Sequence, residues 1–239
     1  MTPTRRYLAI SFDVGHTLID ARRSPPQIVA ELLAELGHHT TPEMLQAAYQ
    51  RAERLFLEDY LRPLCDTWEA DERIQRFYCD YYLRILHDLG LPQAEERHAL
   101  TIIARYLEPA NWQPYPGVID TLAELRARGY RLGAASDWDT NLRRILQHLG
   151  LTRYLDWVII SGALGVAKPS PGFYRLVVQR AGVPAARIVH VGDSYYADVR
   201  GARTVGMDAV LIDWRRRELP RLDVPVIQRL PDLLDVLEV

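Results

Sequence analysis

The sequence contains few of the features that mark specialised classes of protein. It has two cysteines, Cys65 and Cys79, and their spacing is not that of metal ligands. A chain of 239 residues with two thiols does not need a disulfide framework, so we expect both to be buried free thiols. No internal repeat or low-complexity tract is visible. These absences favour an ordinary globular protein.

Long hydrophobic runs and a strong net charge are also missing. Apolar runs such as Trp157–Ile160 fall far short of the ~20 residues that cross a bilayer, and the N-terminus lacks the apolar core of a signal peptide. We therefore expect a cytoplasmic protein, monomeric or homodimeric. With 29 Lys and Arg against 31 Asp and Glu, no general affinity for nucleic acid or membranes is expected. A small soluble molecule is the expected partner.

Most of the chain alternates short apolar runs with helical segments. The apolar runs are Tyr7–Asp13, Arg131–Ser136, Trp157–Ser161, Arg187–Asp193, Asp208–Asp213 and Pro225–Gln228. The helical segments between the later runs are Val118–Arg128, Asn141–Leu149, Phe173–Ala181 and Ala197–Val205. Such alternation is typical of βαβ crossovers. It predicts an α/β fold, in which a Rossmann-like parallel sheet carries helices on both faces.

The segment after the first apolar run breaks this alternation. Four helical patterns follow one another without a convincing strand, beginning at the helix-start signal Ser24-Pro25-Pro26. Asn111–Gly117 then contains the proline and glycine expected of a linker back to the sheet. We therefore predict an inserted all-helical cap at residues 21–111 and an α/β core at residues 1–20 and 112–239.

Polar residues close several of the apolar runs. Asp13 and Ser136 end the first and second runs, Lys168 lies in the loop after the third, and Asp193 and Asp198 follow the fourth. In open parallel sheets, ligands bind beyond the carboxyl ends of the strands, near the point where strand order reverses. We expect all five side chains to point into one crevice.

The charges of this group suggest a chemistry. Crowded carboxylates raise one another's pKa unless cations compensate, and a hard divalent cation together with Lys168 would keep Asp13 ionised and nucleophilic. Such a site suits a phosphate dianion, to which Ser136 donates a hydrogen bond. In-line attack by Asp13 would form an acyl phosphate that water then hydrolyses.

The same residues lie in four short motifs, FDVGHTL, AAS, AKP and GDSYYAD. Together they resemble the four motifs of the haloacid dehalogenase-like (HAD) superfamily, and the resemblance covers nearly the whole chain, including the helical cap. It implies a HAD core with an inserted cap and a Mg²⁺-dependent hydrolase. The implied catalytic residues are Asp13, Ser136 and Lys168. The implied metal site comprises Asp13, the Gly15 carbonyl and Asp193, with Asp198 supporting it. The implied substrate-binding residues are Gly15, His16, Thr17, Ser136, Asp137 and Lys168.

One position departs from the family pattern. HAD phosphatases usually carry a second aspartate two residues after the nucleophile, which protonates the leaving oxygen and later activates water, but this chain has Gly15 there. General acid–base catalysis contributes ~10²–10⁴-fold, so alkyl phosphates are expected to react slowly and Gly15→Asp to accelerate them. His16 and Asp137 are the candidate replacements; the competing role for Asp137 is to cap the helix that begins near Asn141.

Three functions compete at this point. The first is a phosphatase of small phosphate esters, and the second is a metal- and phosphate-binding protein without turnover. The third is hydrolysis of a carbon–halogen bond, but haloacid dehalogenases lack the acidic fourth motif that this chain keeps as Asp193 and Asp198. Carbon–phosphorus cleavage would require a lysine in the cap, and no lysine occurs between Met1 and Ala167.

Overall fold

The computed structural model describes residues 6–60, 66–216 and 221–238, so Cys65 lies outside the described residues. The strands are β1 (Ala9–Phe12), β2 (Ile19–Ala21), β3 (Trp112–Pro114), β4 (Arg131–Ser136), β5 (Trp157–Ile160), β6 (Ile188–Gly192), β7 (Asp208–Ile212) and β8 (Val226–Ile227). Six of them form one sheet in the order β5-β4-β1-β6-β7-β8, and all of its pairings are parallel. The predicted parallel α/β sheet is confirmed.

Helices cover both faces of this sheet. They are α1 (Pro25–Glu35), α2 (Pro42–Tyr60), α3 (Asp71–Asp88), α4 (Glu96–Leu107), α5 (Val118–Ala127), α6 (Leu142–His148), α7 (Pro171–Ala181), α8 (Gly201–Arg203) and α9 (Leu233–Glu238). Successive residues of a strand point to opposite faces, and Ile10 accordingly joins the apolar cluster of α5 and α6 while Ala9 joins that of α7 and α8. Burial on both faces explains why these strands are continuous apolar runs.

The helices α1–α4 follow one another and form what we term the helical layer. At the start of α1 the Gln27 side chain accepts the backbone N–H of Ser24 at 2.7 Å, and Pro25 occupies the first turn. The layer has its own apolar core, in which Ile28, Ile85 and Ile102 are fully buried. The buried free thiol of Cys79 belongs to this core, as expected.

The two connections between the sheet and the helical layer pair as a small antiparallel ribbon. Strands β2 and β3 place Ile19 opposite Pro114 and Ala21 opposite Trp112. The segment Asn111–Gly117, which the sequence indicated as a linker, thus contains a short strand that its pattern did not show. Three-residue strands are too short to show a period-two pattern, and Pro114 is tolerated because the ribbon is all edge. The ribbon fixes the helical layer to the sheet at two adjacent points.

The helical layer also touches the sheet domain at the carboxyl edge of the strands. The Asp71 carboxylate at the start of α3 accepts a hydrogen bond from the backbone N–H of Thr140 at 3.0 Å. Nearby, the N–H of Gly165 donates to the carbonyl of Glu69 at 3.1 Å. The layer therefore closes over the edge where ligands of parallel sheets bind. None of the helices in the described parts of the chain has the length and apolarity to cross a membrane.

Candidate active site

Asp13 lies directly beyond β1, at the reversal of strand order. Strand β1 has β4 on one side and β6 on the other, and the Asp13 N–H extends the ladder to the carbonyl of Val191 at 2.8 Å. Its Oδ1 accepts hydrogen bonds from Lys168 Nζ at 2.8 Å and Ser136 Oγ at 3.2 Å. The side chain is 11% exposed, so the carboxylate is buried yet reachable from one direction.

Lys168 is buried between two carboxylates. It is the only lysine in the sequence, and its Nζ donates to Asp13 at 2.8 Å and to Asp198 at 2.6 Å. Burial alone lowers the pKa of this amine, but Asp13 and Asp198 outweigh burial and hold the pKa well above its ordinary value. The site therefore contains one fixed positive charge within hydrogen-bonding distance of both acids.

Asp198 is held by donors on both carboxylate oxygens. Its Oδ1 contacts Lys168 and lies 3.1 Å from Nε2 of His190, while Oδ2 accepts the N–H of Ser194 at 3.0 Å. Burial raises the pKa of Asp198, but Lys168 and His190 more than offset it and leave the pKa below its ordinary value. A side chain at Gly192 would collide with this carboxylate, because an added Cβ would lie 2.3 Å from Oδ2. The glycine of the fourth motif is thus required by the close approach of Asp198.

The backbone that carries Asp198 differs from the prediction. Instead of one helix over 197–205, residues Tyr195–Arg200 form a π-helical turn that leads into the short helix α8. The Ser194 hydroxyl caps this turn by accepting the N–H of Ala197 at 3.1 Å. A π turn inserts one residue into the helical repeat and is frequent at functional sites. It brings Asp198 into contact with Lys168.

His190 is a site residue that sequence reasoning missed. It is fully buried on β6, and its ring lies edge-on to that of Tyr174 with centroids 5.3 Å apart. Burial lowers the pKa of the imidazole, which favours its neutral form. A polar residue inside the otherwise apolar run IVHVG was the available signal. His190 holds Asp198 in the orientation that meets Lys168.

The loop after Asp13 brings only part of its predicted residues to the site. Gly15 and His16 line the cavity next to Asp13, and His16 adopts a φ of 54° with its Nδ1 3.7 Å from Asp20. Thr17 is fully buried and does not line the cavity, so the structure does not bring it to the substrate. The tight turn, in which Leu18 N–H donates to the Val14 carbonyl at 2.8 Å, directs Thr17 inward.

The predicted strand-end residues share one cavity. Its volume is about 1150 Å³, and it extends from the carboxyl edge of the sheet into the helical layer. The five predicted residues on its wall are Asp13, Ser136, Lys168, Asp193 and Asp198. The sequence predicted that these five side chains point into one crevice, and the structure places all five on the wall of this cavity.

Trp138 occupies the space beside Gly15. A Cβ added to Gly15 would lie 2.9 Å from Cζ3 of the Trp138 ring, although the backbone of Gly15 is outside the left-handed region. The indole is held in place by Trp112, with ring centroids 4.9 Å apart in an edge-to-face arrangement. The expectation that Gly15→Asp alone accelerates the reaction therefore needs revision, because the indole stands where the new side chain would begin.

Asp137 does not cap the following helix. Its Oδ1 accepts the backbone N–H of Lys168 at 3.0 Å, and Asp139 instead accepts the N–H of Asn141 at 2.9 Å. The buried Oδ2 of Asp137 has no hydrogen-bond partner among the described residues. Burial raises the pKa of this carboxyl to about 7, in spite of the nearby Lys168. Asp137 lines the cavity and is thus a carboxyl that exchanges protons near neutral pH.

Asp137→Asn is expected to stabilise the protein in a pH-dependent way. The carboxyl ionises near pH 3.8 in the unfolded chain but near 7 in the folded protein, so its charge opposes folding increasingly between these values. The gain in free energy of unfolding should grow from near zero at about pH 4 to a plateau above about pH 7, at ~1.4 kcal/mol per unit of pKa difference. Urea unfolding across this range, in EDTA, measures it. A gain in the free energy of unfolding that does not change with pH would contradict the raised pKa of Asp137.

Lys168→Met is expected to destabilise the fold strongly. It leaves Asp13 and Asp198 buried without their common counter-charge. Removal of one partner from a buried ion pair typically costs ~3–5 kcal/mol, which urea unfolding in EDTA resolves. Adding Asp13→Asn should recover part of the loss, because one uncompensated carboxylate disappears. If the double variant were as unstable as Lys168→Met alone, Asp13 and Lys168 would not be coupled.

The donor set fits a small hard cation. Asp13 Oδ2 accepts no hydrogen bond from the described residues, and the Asp193 side chain lines the same cavity as Gly15. No group of three or more Asp, Glu, His or Cys side chains in the described ranges is arranged around one metal position. A Mg²⁺ ion commonly uses one or two carboxylates and completes its octahedron with water and substrate oxygens. The available ligands satisfy that requirement and do not suit zinc, which favours His and Cys.

Comparison with known proteins agrees with this geometry. A family model described as haloacid dehalogenase-like hydrolase matches residues 7–206. Haloacid dehalogenase-like hydrolase domain-containing protein 3 of Mus musculus is 35% identical over 242 residues, which cover 96% of this chain and 94% of that protein. Glyceraldehyde 3-phosphate phosphatase of Methanopyrus kandleri is 37% identical and covers 83% of this chain and 91% of its own length.

A solved structure extends the similarity to three dimensions. The crystal structure of a HAD phosphatase from Thermococcus onnurineus superposes with a TM-score of 0.65 at 28% identity, and the match covers 96% of this chain and 97% of that one. The family model spans most of the chain, and the sheet is the parallel α/β sheet that the sequence predicted. The chain belongs to the haloacid dehalogenase-like hydrolase family.

Proposed function

We propose that the protein is a Mg²⁺-dependent phosphatase of small phosphate esters that works through an aspartyl phosphate on Asp13. The observation that carries the proposal is the Asp13 carboxylate, which faces a cavity while Lys168 and Ser136 hold one of its oxygens. Relatives named glyceraldehyde 3-phosphate phosphatase in Methanopyrus kandleri and Pyrococcus abyssi support phosphate ester hydrolysis. In this proposal residues 1–20 and 112–239 form the catalytic core, and residues 21–111 form the cap.

The chain's own residues divide the work as follows. The contacts of Lys168 and Ser136 with Oδ1 fix the Asp13 carboxylate and leave Oδ2 to attack phosphorus in line. When a phosphoryl group binds, Lys168 would donate its third N–H to it, and Ser136 would turn its single O–H from Asp13 to a phosphoryl oxygen. Asp13, the Gly15 carbonyl and Asp193 would hold Mg²⁺, which would neutralise the charge of the phosphoryl group when bound. Asp198, with both oxygens occupied by donors, would support the site by holding Lys168.

Proton transfer to the leaving oxygen is the weak step of this site. Gly15 carries no acid, and Trp138 fills the adjacent space. Of the two candidate replacements, Asp137 fits better than His16, because its pKa of about 7 suits a group that both gives and takes a proton near neutral pH. His16 is 45% exposed and faces Asp20. We therefore assign the residual acid–base role to Asp137.

The Gly15 and Trp138 arrangement also favours a second candidate function. A protein that binds Mg²⁺ and a phosphorylated ligand without turnover would keep Asp13, Lys168 and Asp193 and would not need an acid at position 15. The two candidates differ in one measurable respect, which is whether phosphate is released.

A panel of phosphate esters with Mg²⁺ or EDTA tests the proposal. We expect phosphate release from aryl and acyl phosphates, which need little protonation of the leaving group, to exceed that from alkyl phosphates. EDTA should abolish release and Mg²⁺ should restore it, with Asp193→Asn requiring more Mg²⁺. Ligand binding without release from any ester would instead establish the binding protein, and undiminished release in EDTA would contradict the metal site.

A further inference from the structure

The cavity is much larger than the phosphoryl site at its base. Its volume of about 1150 Å³ exceeds the ~300–1,000 Å³ of typical pockets for drug-sized ligands, and it continues from Asp13 into the helical layer. A phosphoryl group held by Lys168 and Ser136 occupies a small part of this space. The remainder is where the alcohol portion of a phosphate ester would lie.

The wall supplied by the helical layer is mainly apolar. Its aromatic members include Phe56, Trp68 and Tyr78. The rings of Phe56 and Tyr78 pack edge-to-face against the Trp68 ring, at centroid distances of 5.7 and 5.9 Å. The aliphatic members include Ile103 and the exposed Ala104 on α4. Binding is favoured when an apolar group displaces water from the apolar side chains that line an accessible cavity.

The charged side chains of this wall would repel a second anionic group on a substrate. Among the described residues of the helical layer and its exit turn, the charged side chains that line the cavity are Asp71 and Glu108, both acidic. Asp71 is already engaged by Thr140. The cationic groups Lys168 and Arg144 belong to the sheet domain, and Lys168 lies at the phosphoryl site, where it contacts Asp13 and Asp198. A carboxylate or second phosphate that lay against the helical layer would meet like charge on that wall, because Arg144 lies on α6 of the sheet domain.

We infer that the site takes phosphate monoesters of uncharged, apolar alcohols, with an aromatic or branched body larger than a three-carbon sugar, bound against α3 and α4. This inference rests on the proposed phosphatase function and specifies its substrate class. The phosphate supplies the anchor at Lys168 and Ser136. The apolar body supplies the binding free energy that selects one ester from another.

The test must separate the size of the body from the quality of the leaving group, because aryl phosphates react faster for chemical reasons alone. Ethyl, phenylethyl and naphthylethyl phosphate are all esters of primary alcohols, so their leaving groups are closely similar. We expect kcat/KM to rise by about 10-fold or more from ethyl to naphthylethyl phosphate, a typical gain for a hydrophobic pocket. Carboxypropyl phosphate, which carries a second anion, should be the poorest substrate.

Ala104→Trp provides the structural test. The new indole would project from α4 into the cavity and fill the space of the apolar body, so the preference for naphthylethyl over ethyl phosphate should fall to about 2-fold or less. Ala34→Trp is the matched control, because Ala34 is an exposed alanine of α1 that does not line the cavity. This control should keep the wild-type preference, and melting temperatures show whether both variants fold.

The outcomes distinguish this inference from the function on which it rests. Equal kcat/KM for ethyl and naphthylethyl phosphate would overturn the inference and leave the phosphatase proposal intact. If no ester is hydrolysed, the phosphatase proposal fails, and binding decides the substrate class. Calorimetry with Mg²⁺ and the naphthylpropyl and propyl phosphonates would then support the inference if the naphthyl compound binds more tightly. Equal or absent binding would overturn it.

Discussion

Asp13→Asn is expected to lower phosphate release by at least about 10³-fold, because it removes the nucleophile and leaves only positioning and charge stabilisation. The amide is nearly isosteric with the carboxylate, so Ser136 keeps a hydrogen-bond partner at this position. Steady-state kinetics with an aryl phosphate in saturating Mg²⁺ measures the effect. Circular dichroism and the melting temperature establish that the variant is folded.

A matched control separates the loss of the nucleophile from the general effect of an aspartate-to-asparagine change. Asp120 lies exposed in the first turn of α5 and does not line the cavity. Asp120→Asn should retain full activity. If Asp13→Asn kept more than a tenth of the wild-type kcat, attack by Asp13 would have to be abandoned.

Restoring the absent acid is expected to require two substitutions. Gly15→Asp alone should give little gain and lower the melting temperature, because its Cβ would lie 2.9 Å from the Trp138 ring. Trp138→Leu removes that ring and keeps an apolar contact for Trp112. The double variant should hydrolyse alkyl phosphates about 10-fold to 10²-fold faster than wild type, within the range of general acid–base catalysis.

The four proteins of this cycle give a direct readout of the coupling. Trp138→Leu alone should not accelerate alkyl phosphates, because it supplies no acid. Aryl phosphates should change little in the double variant, since their leaving groups need little protonation. Strict additivity of the two single effects would show that the indole does not obstruct position 15, and the account of this position would be wrong.

Much of the fold was accessible from the sequence because its strands are buried on both faces. Runs such as Trp157–Ile160 are apolar without interruption, and each of the predicted runs contains an observed strand of the sheet. Five polar residues at or just beyond the ends of these runs line the cavity, namely Asp13, Ser136, Lys168, Asp193 and Asp198. In a parallel sheet, strand direction alone places such residues at one edge.

The features that were missed depend on contacts distant in sequence. The β2–β3 ribbon pairs segments about ninety residues apart in three-residue strands, which carry no periodic signal. Trp138 and Gly15 meet only after the sheet forms, as do His190 and Asp198 across the π turn. Helical periodicity also gives no warning of a π turn, because it changes the hydrogen-bond register and leaves the composition unchanged.

The aromatic residues of α3 differ in what they contact, and the sequence pattern does not show the difference. Phe77 and Tyr81 of α3 stack on each other, with ring centroids 6.3 Å apart. Tyr78, from the same stretch of α3, instead lines the cavity while it packs against Trp68. Helical spacing identifies such a face as apolar, but it does not distinguish a face turned toward neighbouring helices from one turned toward a ligand.

Chemical trapping of the intermediate tests the central role of Asp13 most directly. The protein would be mixed with Mg²⁺ and an excess of aryl phosphate, quenched during turnover, and treated with borohydride, which reduces an acyl phosphate to an alcohol. Peptide mapping by mass spectrometry should find the reduced side chain at position 13, and only when substrate and Mg²⁺ were both present. Turnover with an unmodified Asp13, or reduction at another carboxylate such as Asp193, would contradict the account.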